Sequence, residues 1–266
     1  MASRAEQKAA LRAAREARQK ELTAAQTRRK RMYSLGALLA GVIVALVVVV
    51  VAGGGKSPTT HTTSAKSAKV AVVALLKGIP QTGNTLGKAT APVTVTESGD
   101  LVCPICQQFA FTSEQQLIDN EVRAGKVKLV YRGLETASSD ANSGEYAASQ
   151  IAARAAGLQQ RAWQYIFLWY YEQGDELTPY VTNTFMQNIA AQIPGLNLTK
   201  WQTDRNSTTL ANDVTGDLQA ATAAGLVGSS GPSTPSITFE GPKGAAPPIV
   251  GLATYAQLQS EIQAIS

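Results

Sequence analysis

Two patterns in the sequence predict an α/β domain with an inserted helical region, preceded by one transmembrane helix. The first is an uncharged run of 20 residues, Tyr33 to Ala52, which at about 1.5 Å per residue can cross a hydrocarbon layer of about 30 Å. The second is a long helical block, about 139–226, with strand-like segments on both sides. These patterns divide the chain into a basic segment (1–31), a transmembrane helix (32–52), a flexible linker (53–69) and a domain (70–266).

Positive charge is concentrated before the apolar run. Residues 1–31 contain ten Lys and Arg against three Glu, whereas the remaining 235 residues carry 14 basic and 16 acidic groups. The positive-inside bias therefore places the N-terminus in the cytoplasm and the domain outside the cell membrane, on a single-pass anchor. A cleaved signal peptide is the alternative, because Val50 and Ala52 are small enough to precede a cleavage site. A domain without basic excess does not fit a nucleic-acid binder.

The linker limits the chemistry that the domain can use. It is rich in Gly, Ser and Thr, which is typical of a flexible tether. It also contains His61, the only histidine of the sequence. Ser-His-Asp and Cys-His catalysis are therefore not expected, and two cysteines with a tether histidine do not make a four-ligand zinc site.

Strand-like segments surround the only two cysteines. The segment 70–76, VAVVALL, fits a buried strand or a short helix, and we place it first in the order as a strand. VTVTE, 93–97, is a strand with Val93, Val95 and Glu97 on one face, and 126–134 is a further strand.

The second half of the chain is predicted to be helical and then to return to strands. Within the block, Pro179 suits a helix start, and the aromatic run 163–171 has the spacing of a core helix face. SITFE, 236–240, is a strand to which PPIVG can pair, and a last helix follows with capping-box spacing at Thr254 and Gln257. The predicted order is β, β, α, β, helical block, β, β, α.

The cysteines form a Cys-Pro-Ile-Cys motif directly after the second strand. Pro104 suits the first turn of a helix, which begins near Cys103. Residues i and i+3 are neighbours there, so Cys103 and Cys106 can form one disulfide. The helix N-terminus favours the Cys103 thiolate, which predicts Cys103 as the reactive sulfur and Cys106 as the buried, resolving one. An inert structural disulfide is the alternative.

The segment from Leu86 to Phe109, LGKATAPVTVTESGDLVCPICQQF, resembles the active-site region of the DsbA-like branch of the thioredoxin-fold disulfide oxidoreductases, particularly the membrane-anchored extracytoplasmic kind. The resemblance covers roughly residues 78–266. It implies a thioredoxin-like fold with an inserted helical subdomain, and exchange of disulfides with other proteins.

The resemblance also implies further site residues. Thr234 and Pro235 match the family's loop with a cis-proline beside the dithiol, which presents backbone groups to a bound substrate strand. Glu97 matches the family's buried carboxylate, which accepts or relays the proton of the second cysteine; an ordinary solvent-exposed glutamate is the alternative. Two features depart from the family pattern. Ile105 stands where the strongest oxidases have histidine, and the loop has a second proline, Pro232, and lacks the usual glycine before Thr234.

The sequence thus predicts an extracytoplasmic oxidase that introduces disulfides into exported proteins through Cys103 and Cys106. By the resemblance, a quinone-linked membrane oxidase is the expected redox partner. No cofactor is needed for the exchange itself, because the sulfurs carry the electrons. The alternatives are a disulfide reductase of the same fold, and a non-catalytic, membrane-tethered binding protein with a structural disulfide.

Overall fold

The structure is a computed structural model that describes residues 65–139, 145–229 and 231–266. The predicted basic segment and transmembrane helix lie outside these residues, as does the linker before Ala65. Among the helices of the described ranges, none combines the length and the apolar character needed to cross a membrane.

The first described element is a helix, α1 (Ala65–Leu76). The prediction of a strand at 70–76 was therefore wrong. Ala68, Val72 and Leu76 recur every four residues and form the one buried stripe, while Val70 and Val73 between them are exposed. A strand would bury alternate residues instead, so the i, i+4 spacing decides for a helix. The helix also includes the last five residues of the predicted linker, Ala65 to Lys69.

A six-stranded mixed sheet forms the centre of the fold. Its strands are β1 (Gln81–Thr82), β2 (Thr85–Leu86), β3 (Val93–Gly99), β4 (Val127–Gly133), β7 (Ser236–Gly241) and β8 (Gly244–Val250). They lie in the order β1-β2-β4-β3-β7-β8. In the middle of the sheet, β3 is parallel to β4 and antiparallel to β7. A separate two-stranded ribbon consists of β5 (Val227–Gly228) and β6 (Gly231–Pro232).

A helical stretch follows β3 and returns the chain to β4. It starts as α2 (Pro104–Phe109) and continues through the π-helical turns Ala110–Glu114 and Ile118–Val122, with the α-helical turn Gln115–Leu117 between them. We call residues 104–122 the dithiol helix. Its start confirms the predicted helix that begins near Cys103.

Between β4 and the later strands, the described residues form a short 3-10 helix (Ala137–Ser139) and five α-helices, which confirms the predicted helical block. The α-helices are α3 (Glu145–Gly157), α4 (Ala162–Glu172), α5 (Asn183–Ala191), α6 (Leu198–Asp204) and α7 (Thr208–Ala223). The predicted helix start at Pro179 was wrong, because α5 begins at Asn183. There the hydroxyl of Thr182 accepts a hydrogen bond from the backbone N–H of Phe185 and caps the helix.

The inserted helices pack on the sheet through aromatic side chains and one ion cluster. In α4, all side chains from Ala162 to Tyr170 except Gln164 are buried, which confirms the predicted core face. In α7, the buried carboxylate of Asp217 accepts a hydrogen bond from the N–H of Gly133 at 2.9 Å and pairs with Arg154. The end of β4 is thereby joined to the insertion.

The C-terminal part follows the prediction. β7 pairs antiparallel with β8. The last helix, α8 (Tyr255–Ile265), begins with a complete capping box between Thr254 and Gln257. β7 lies beside β3, so the loop before it reaches the end of β3 where the dithiol helix begins.

Candidate active site

The turn between β3 and the dithiol helix is held by the buried carboxylate of Asp100. Its Oδ1 accepts hydrogen bonds from the N–H of Val102 at 3.0 Å and the hydroxyl of Ser138 at 2.6 Å. Its Oδ2 accepts from the N–H groups of Thr136 and Ser138, both at 2.9 Å. Four donors from two chain segments thus fix the turn that presents Cys103.

Cys103 is the N-cap residue of α2, and Pro104 occupies the first turn. The Cys103 Sγ accepts a hydrogen bond from the N–H of Cys106 at 3.4 Å. Both cysteines are free thiols in this structure. Cys103 is 7% exposed and Cys106 is fully buried, so Cys103 is the more accessible of the two sulfurs.

The two thiols have opposite electrostatic environments. The pKa of Cys103 is lowered to about 6, mainly by a hydrogen bond from the Cys106 thiol. Hydrogen bonds from Thr234 and from the backbone N–H groups of Cys106 and Ile105 lower it further, whereas burial acts in the opposite direction and raises it. Burial raises the pKa of Cys106 well above its usual value, and the hydrogen bond and charge of Cys103 raise it further. At neutral pH, Cys103 is therefore a thiolate and Cys106 a thiol.

The loop before β7 lies against Cys103. The peptide bond between Thr234 and Pro235 is cis, as the resemblance implies. The Thr234 carbonyl is 3.8 Å from the Cys103 Sγ, and the Thr234 hydroxyl is 2.6 Å from that of Thr136. On the other side, the Pro235 carbonyl accepts a hydrogen bond from the N–H of Gly251 at 2.8 Å.

Glu97 lies behind the dithiol, fully buried on β3. Burial raises its pKa well above the usual value, and the neighbouring Glu114 and Cys103 raise it further. Glu114, on the dithiol helix, is also fully buried. Burial raises the pKa of Glu114 to about 7 against the opposing interaction with Glu97. The reading of Glu97 as a solvent-exposed glutamate is therefore wrong.

Two tyrosine hydroxyls face the same interior region. Tyr131 on β4 and Tyr170 on α4 are fully buried. Burial is the main reason why the pKa of both hydroxyls is raised, and the charges of nearby acidic groups raise it further. Gly99 leaves room for this cluster. A Cβ at Gly99 would lie 3.0 Å from Glu97 Oε1 and 3.3 Å from the Tyr131 hydroxyl.

The insertion also contacts the active-site turn directly. The Gln173 side chain, at the end of α4, donates to the carbonyl oxygens of Leu101 at 2.7 Å and Cys103 at 3.2 Å. The Gln107 side chain of α2 donates to the Tyr170 carbonyl at 2.6 Å. These bonds attach both sides of the dithiol to α4.

The structure brings most of the sequence-predicted site residues together around Cys103. Cys106, Thr234 and Glu97 interact with it, with Pro104 and Pro235 adjacent in the chain. Ile105 instead faces solvent and is 42% exposed. Within the described ranges, no three His, Cys, Asp or Glu side chains converge as a metal site would require.

Sequence reasoning missed three functional candidates, Asp100, Glu114 and Gln173. A signal existed for Glu114, because it lies between Ala110 and Leu117 on the face of the dithiol helix that the apolar spacing marks as buried. For Asp100 and Gln173 the partners come from distant segments, so no local pattern identifies them.

Comparison with known proteins agrees with this geometry. The family model described as "Thioredoxin" matches residues 80–263. The chain belongs to the thioredoxin family. Cys103 and Cys106 lie within the matched residues and form a Cys-X-X-Cys pair.

Individual relatives are more distant. A probable disulfide bond formation protein D of Bacillus anthracis is 26% identical over 141 residues, 53% of this chain and 64% of the relative. The alignment therefore spans less than two thirds of that relative's length.

Solved structures show the same fold. BdbD of Bacillus subtilis, in its oxidised form, superposes with a TM-score of 0.57 at 19% identity, covering 70% of this chain and 97% of BdbD. DsbA2 of Pseudomonas aeruginosa superposes with a TM-score of 0.53 at 20% identity, covering 71% of this chain and 97% of DsbA2. The thioredoxin-like fold with an inserted helical region, expected from the resemblance, is confirmed.

Proposed function

We propose that this protein is an extracytoplasmic thiol-disulfide oxidase that introduces disulfides into exported proteins. The observation that carries the proposal is the opposite tuning of the two sulfurs, with the pKa of Cys103 lowered to about 6 and that of Cys106 raised. A stable Cys103 thiolate favours the reduced form of the enzyme, and a dithiol that prefers to be reduced passes its disulfide to others.

The exchange begins with the enzyme in its Cys103–Cys106 disulfide form. A substrate thiolate attacks the Cys103 Sγ, a new bond joins the two chains, and the Cys103–Cys106 bond breaks with its electron pair on Cys106. A second substrate thiolate then attacks the substrate sulfur of this mixed disulfide, and Cys103 leaves as a thiolate. The substrate has lost two electrons, and the enzyme has gained them.

Two further groups support these steps. Glu97 supplies the proton that the departing Cys106 sulfur takes up, since a buried thiolate beside Cys103 is unfavourable. The loop at Thr234 and Pro235 lies beside Cys103 and presents its backbone to an extended substrate segment. Ile105 adds an exposed apolar surface next to the reactive sulfur.

The proposed location and partner follow from the resemblance and the sequence. The apolar run before the domain anchors it outside the cytoplasm, where disulfides persist. The reduced enzyme is then returned to its disulfide form by a membrane oxidase linked to quinone.

The reduction potential of Cys103 and Cys106 tests the direction of exchange. Full-length protein in detergent is equilibrated with glutathione buffers, and alkylation reports the thiols. We expect a potential of roughly −120 to −200 mV with Cys103 the first to react. A value near about −270 mV would indicate a reductase, and a disulfide that glutathione does not open would indicate a structural role.

A functional test separates catalysis from binding. Refolding of a reduced, unfolded substrate protein is followed with wild type and with the double variant Cys103→Ser, Cys106→Ser. We expect the wild type to form substrate disulfides and the double variant to form none. Equal activity of the two proteins would contradict the proposed chemistry and favour the binding protein.

A further inference from the structure

We propose that Glu114 is a positioning residue for disulfide exchange, which holds a shared proton with Glu97 and thereby keeps Glu97 able to protonate Cys106. The pair, which we call the acid pair, consists of these two carboxyl groups alone. The inference rests on the proposed role of Glu97 and adds a second acid to it.

The location of Glu114 is the first evidence. It ends the π-helical turn Ala110–Glu114, on the same helical stretch as Cys106. Its side chain is fully buried, as is that of Glu97 on the adjoining strand β3. The two carboxyl groups lie close enough for each to shift the pKa of the other.

The lack of other partners is the second evidence. Within the described ranges, no donor group of another residue forms a hydrogen bond to either carboxyl group, and neither belongs to one of the ion pairs found there. Two buried, adjacent carboxylates without a cation repel each other strongly, so they retain a proton between them. The raised pKa values of both groups agree with this.

Among the described residues, the titratable groups that face the acid pair are all neutral or acidic. They come from three elements: Cys103 and Cys106 at the start of the dithiol helix, Tyr131 on β4 and Tyr170 on α4. The tyrosines and Cys106 stay protonated at neutral pH, because burial raises their pKa values. A Cys103 thiolate adds negative charge and makes the acid pair retain its proton more strongly.

The proposed transfer moves one proton from the acid pair to the Cys106 sulfur. When the substrate thiolate forms its bond to Cys103, the Cys106 sulfur leaves with the electron pair and takes a proton from Glu97. The shared proton has then left the acid pair, and both of its carboxyl groups are ionised. Solvent water later returns one proton to the pair, so no oxidant, reductant or metal ion takes part in this step.

The pH dependence of disulfide reduction tests the role of Glu114. Oxidised full-length protein is mixed with dithiothreitol from about pH 5 to about pH 9, and the rate is expressed per dithiothreitol thiolate. In the wild type we expect this rate to fall as the acid pair loses its proton. In Glu114→Gln the fall begins about one pH unit lower, so the rate on the falling limb is about tenfold below wild type.

Two further variants complete the series. Glu97→Gln removes the donor, and we expect it to be about 100-fold slower with no such fall. Glu121→Gln is the control, because Glu121 is a buried glutamate on the same helical stretch but is paired with Lys126 and Tyr255. Its profile should superpose on that of the wild type. A Glu114→Gln profile that also superposes would overturn the role of Glu114.

A second measurement needs no variant. Infrared spectra of the oxidised wild type should show the carbonyl stretch of a protonated, buried carboxyl group at neutral pH, which disappears at high pH. Absence of that band at neutral pH would overturn the proposal. A wild-type disulfide that dithiothreitol does not reduce at any pH would instead contradict the proposed function, which separates the two failures.

Discussion

At the residue scale, the reactivity of Cys103 depends on donors from the first turn of the dithiol helix and on Thr234 in the loop before β7. The Cys106 thiol contributes most to the lowering of the Cys103 pKa. Smaller contributions in the same direction come from Thr234 and from the backbone N–H groups of Cys106 and Ile105. The two backbone N–H donors remain when the side chains of Cys106 and Ile105 are replaced, whereas the thiol donor is lost when Cys106 is replaced. Substitution of the side chains can therefore separate these contributions.

Cys106→Ala tests the thiol contribution. It removes the Cys106 donor, and we expect the pKa of Cys103 to rise by about one to two units from about 6. The thiolate absorbance of reduced protein, followed against pH, measures this. Ile105→Ala is the control, because the exposed Ile105 side chain is not the donor and its backbone N–H remains. An unchanged pKa in Cys106→Ala would show that the backbone donors suffice.

Gly99→Ala tests how tightly the interior behind the dithiol is packed. The added Cβ would lie 3.0 Å from both Glu97 Oε1 and Tyr131 Cε2. We expect the free energy of unfolding to fall by about 1–3 kcal/mol, measured by urea denaturation. Gly216→Ala is the matched control, since nothing lies within 4 Å of a Cβ there in α7. We expect Gly216→Ala to stabilise by about 0.5–1 kcal/mol; equal effects of the two variants would contradict this account.

At the scale of elements, the turn between β3 and the dithiol helix is fixed by contacts to other segments more than by its own sequence. Asp100 joins it to the segment 136–138, and Gln173 joins it to the end of α4. The position of Cys103 therefore depends on the chain after β4 and on the insertion. Perturbation of either should alter the dithiol without touching a sulfur.

Asp100→Asn tests the first of these connections. An amide in place of the carboxylate directs an NH₂ group at N–H donors and leaves some of them unpaired in the interior. We expect a loss of about 2–4 kcal/mol in the free energy of unfolding, measured by denaturant titration. Asp119→Asn is the control, because Asp119 is in an exposed i, i+4 pair with Arg123 and should lose less than about 0.5 kcal/mol. Similar losses in both would contradict the role of Asp100.

At the scale of the whole molecule, the acid pair makes stability depend on pH. Burial raises the folded-state pKa of Glu114 from 4.5 to about 7. The folded protein therefore holds a proton that the unfolded chain releases above about pH 4.5, and folding is favoured less as pH rises from there through 7. This is the reverse of an ion-paired carboxylate such as Glu121, whose pKa is lowered by Lys126 and Tyr255 against its partial burial.

Comparison of wild type with Glu114→Gln isolates this contribution. Between about pH 4.5 and pH 8, we expect the oxidised wild type to lose about 3 kcal/mol more than the variant in the free energy of unfolding. Denaturant titrations at both pH values measure the difference. The same loss in both proteins would mean that Glu114 ionises in the folded state as easily as in water.

The sequence by itself determined the local parts of the site. Pro104 after Cys103 marks the first helical turn, the alternation in 93–97 marks the buried face of β3, and Thr254 with Gln257 marks the start of α8. These features are predictable because strand period, helix period and capping depend on residues a few positions apart. The family resemblance added the cis bond before Pro235, which the structure confirms.

The tertiary structure alone decided the environment of the sulfurs and the nature of α1. A short apolar run such as 70–76 fits a strand or a helix until its neighbours show which side chains are buried. Whether a glutamate lies in water or beside a second carboxyl group depends on how β3 and the dithiol helix pack. Desolvation acts over a few ångströms in space between residues far apart in the chain, so the pairing of Glu97 with Glu114 and the contacts of Asp100 emerge only from the fold.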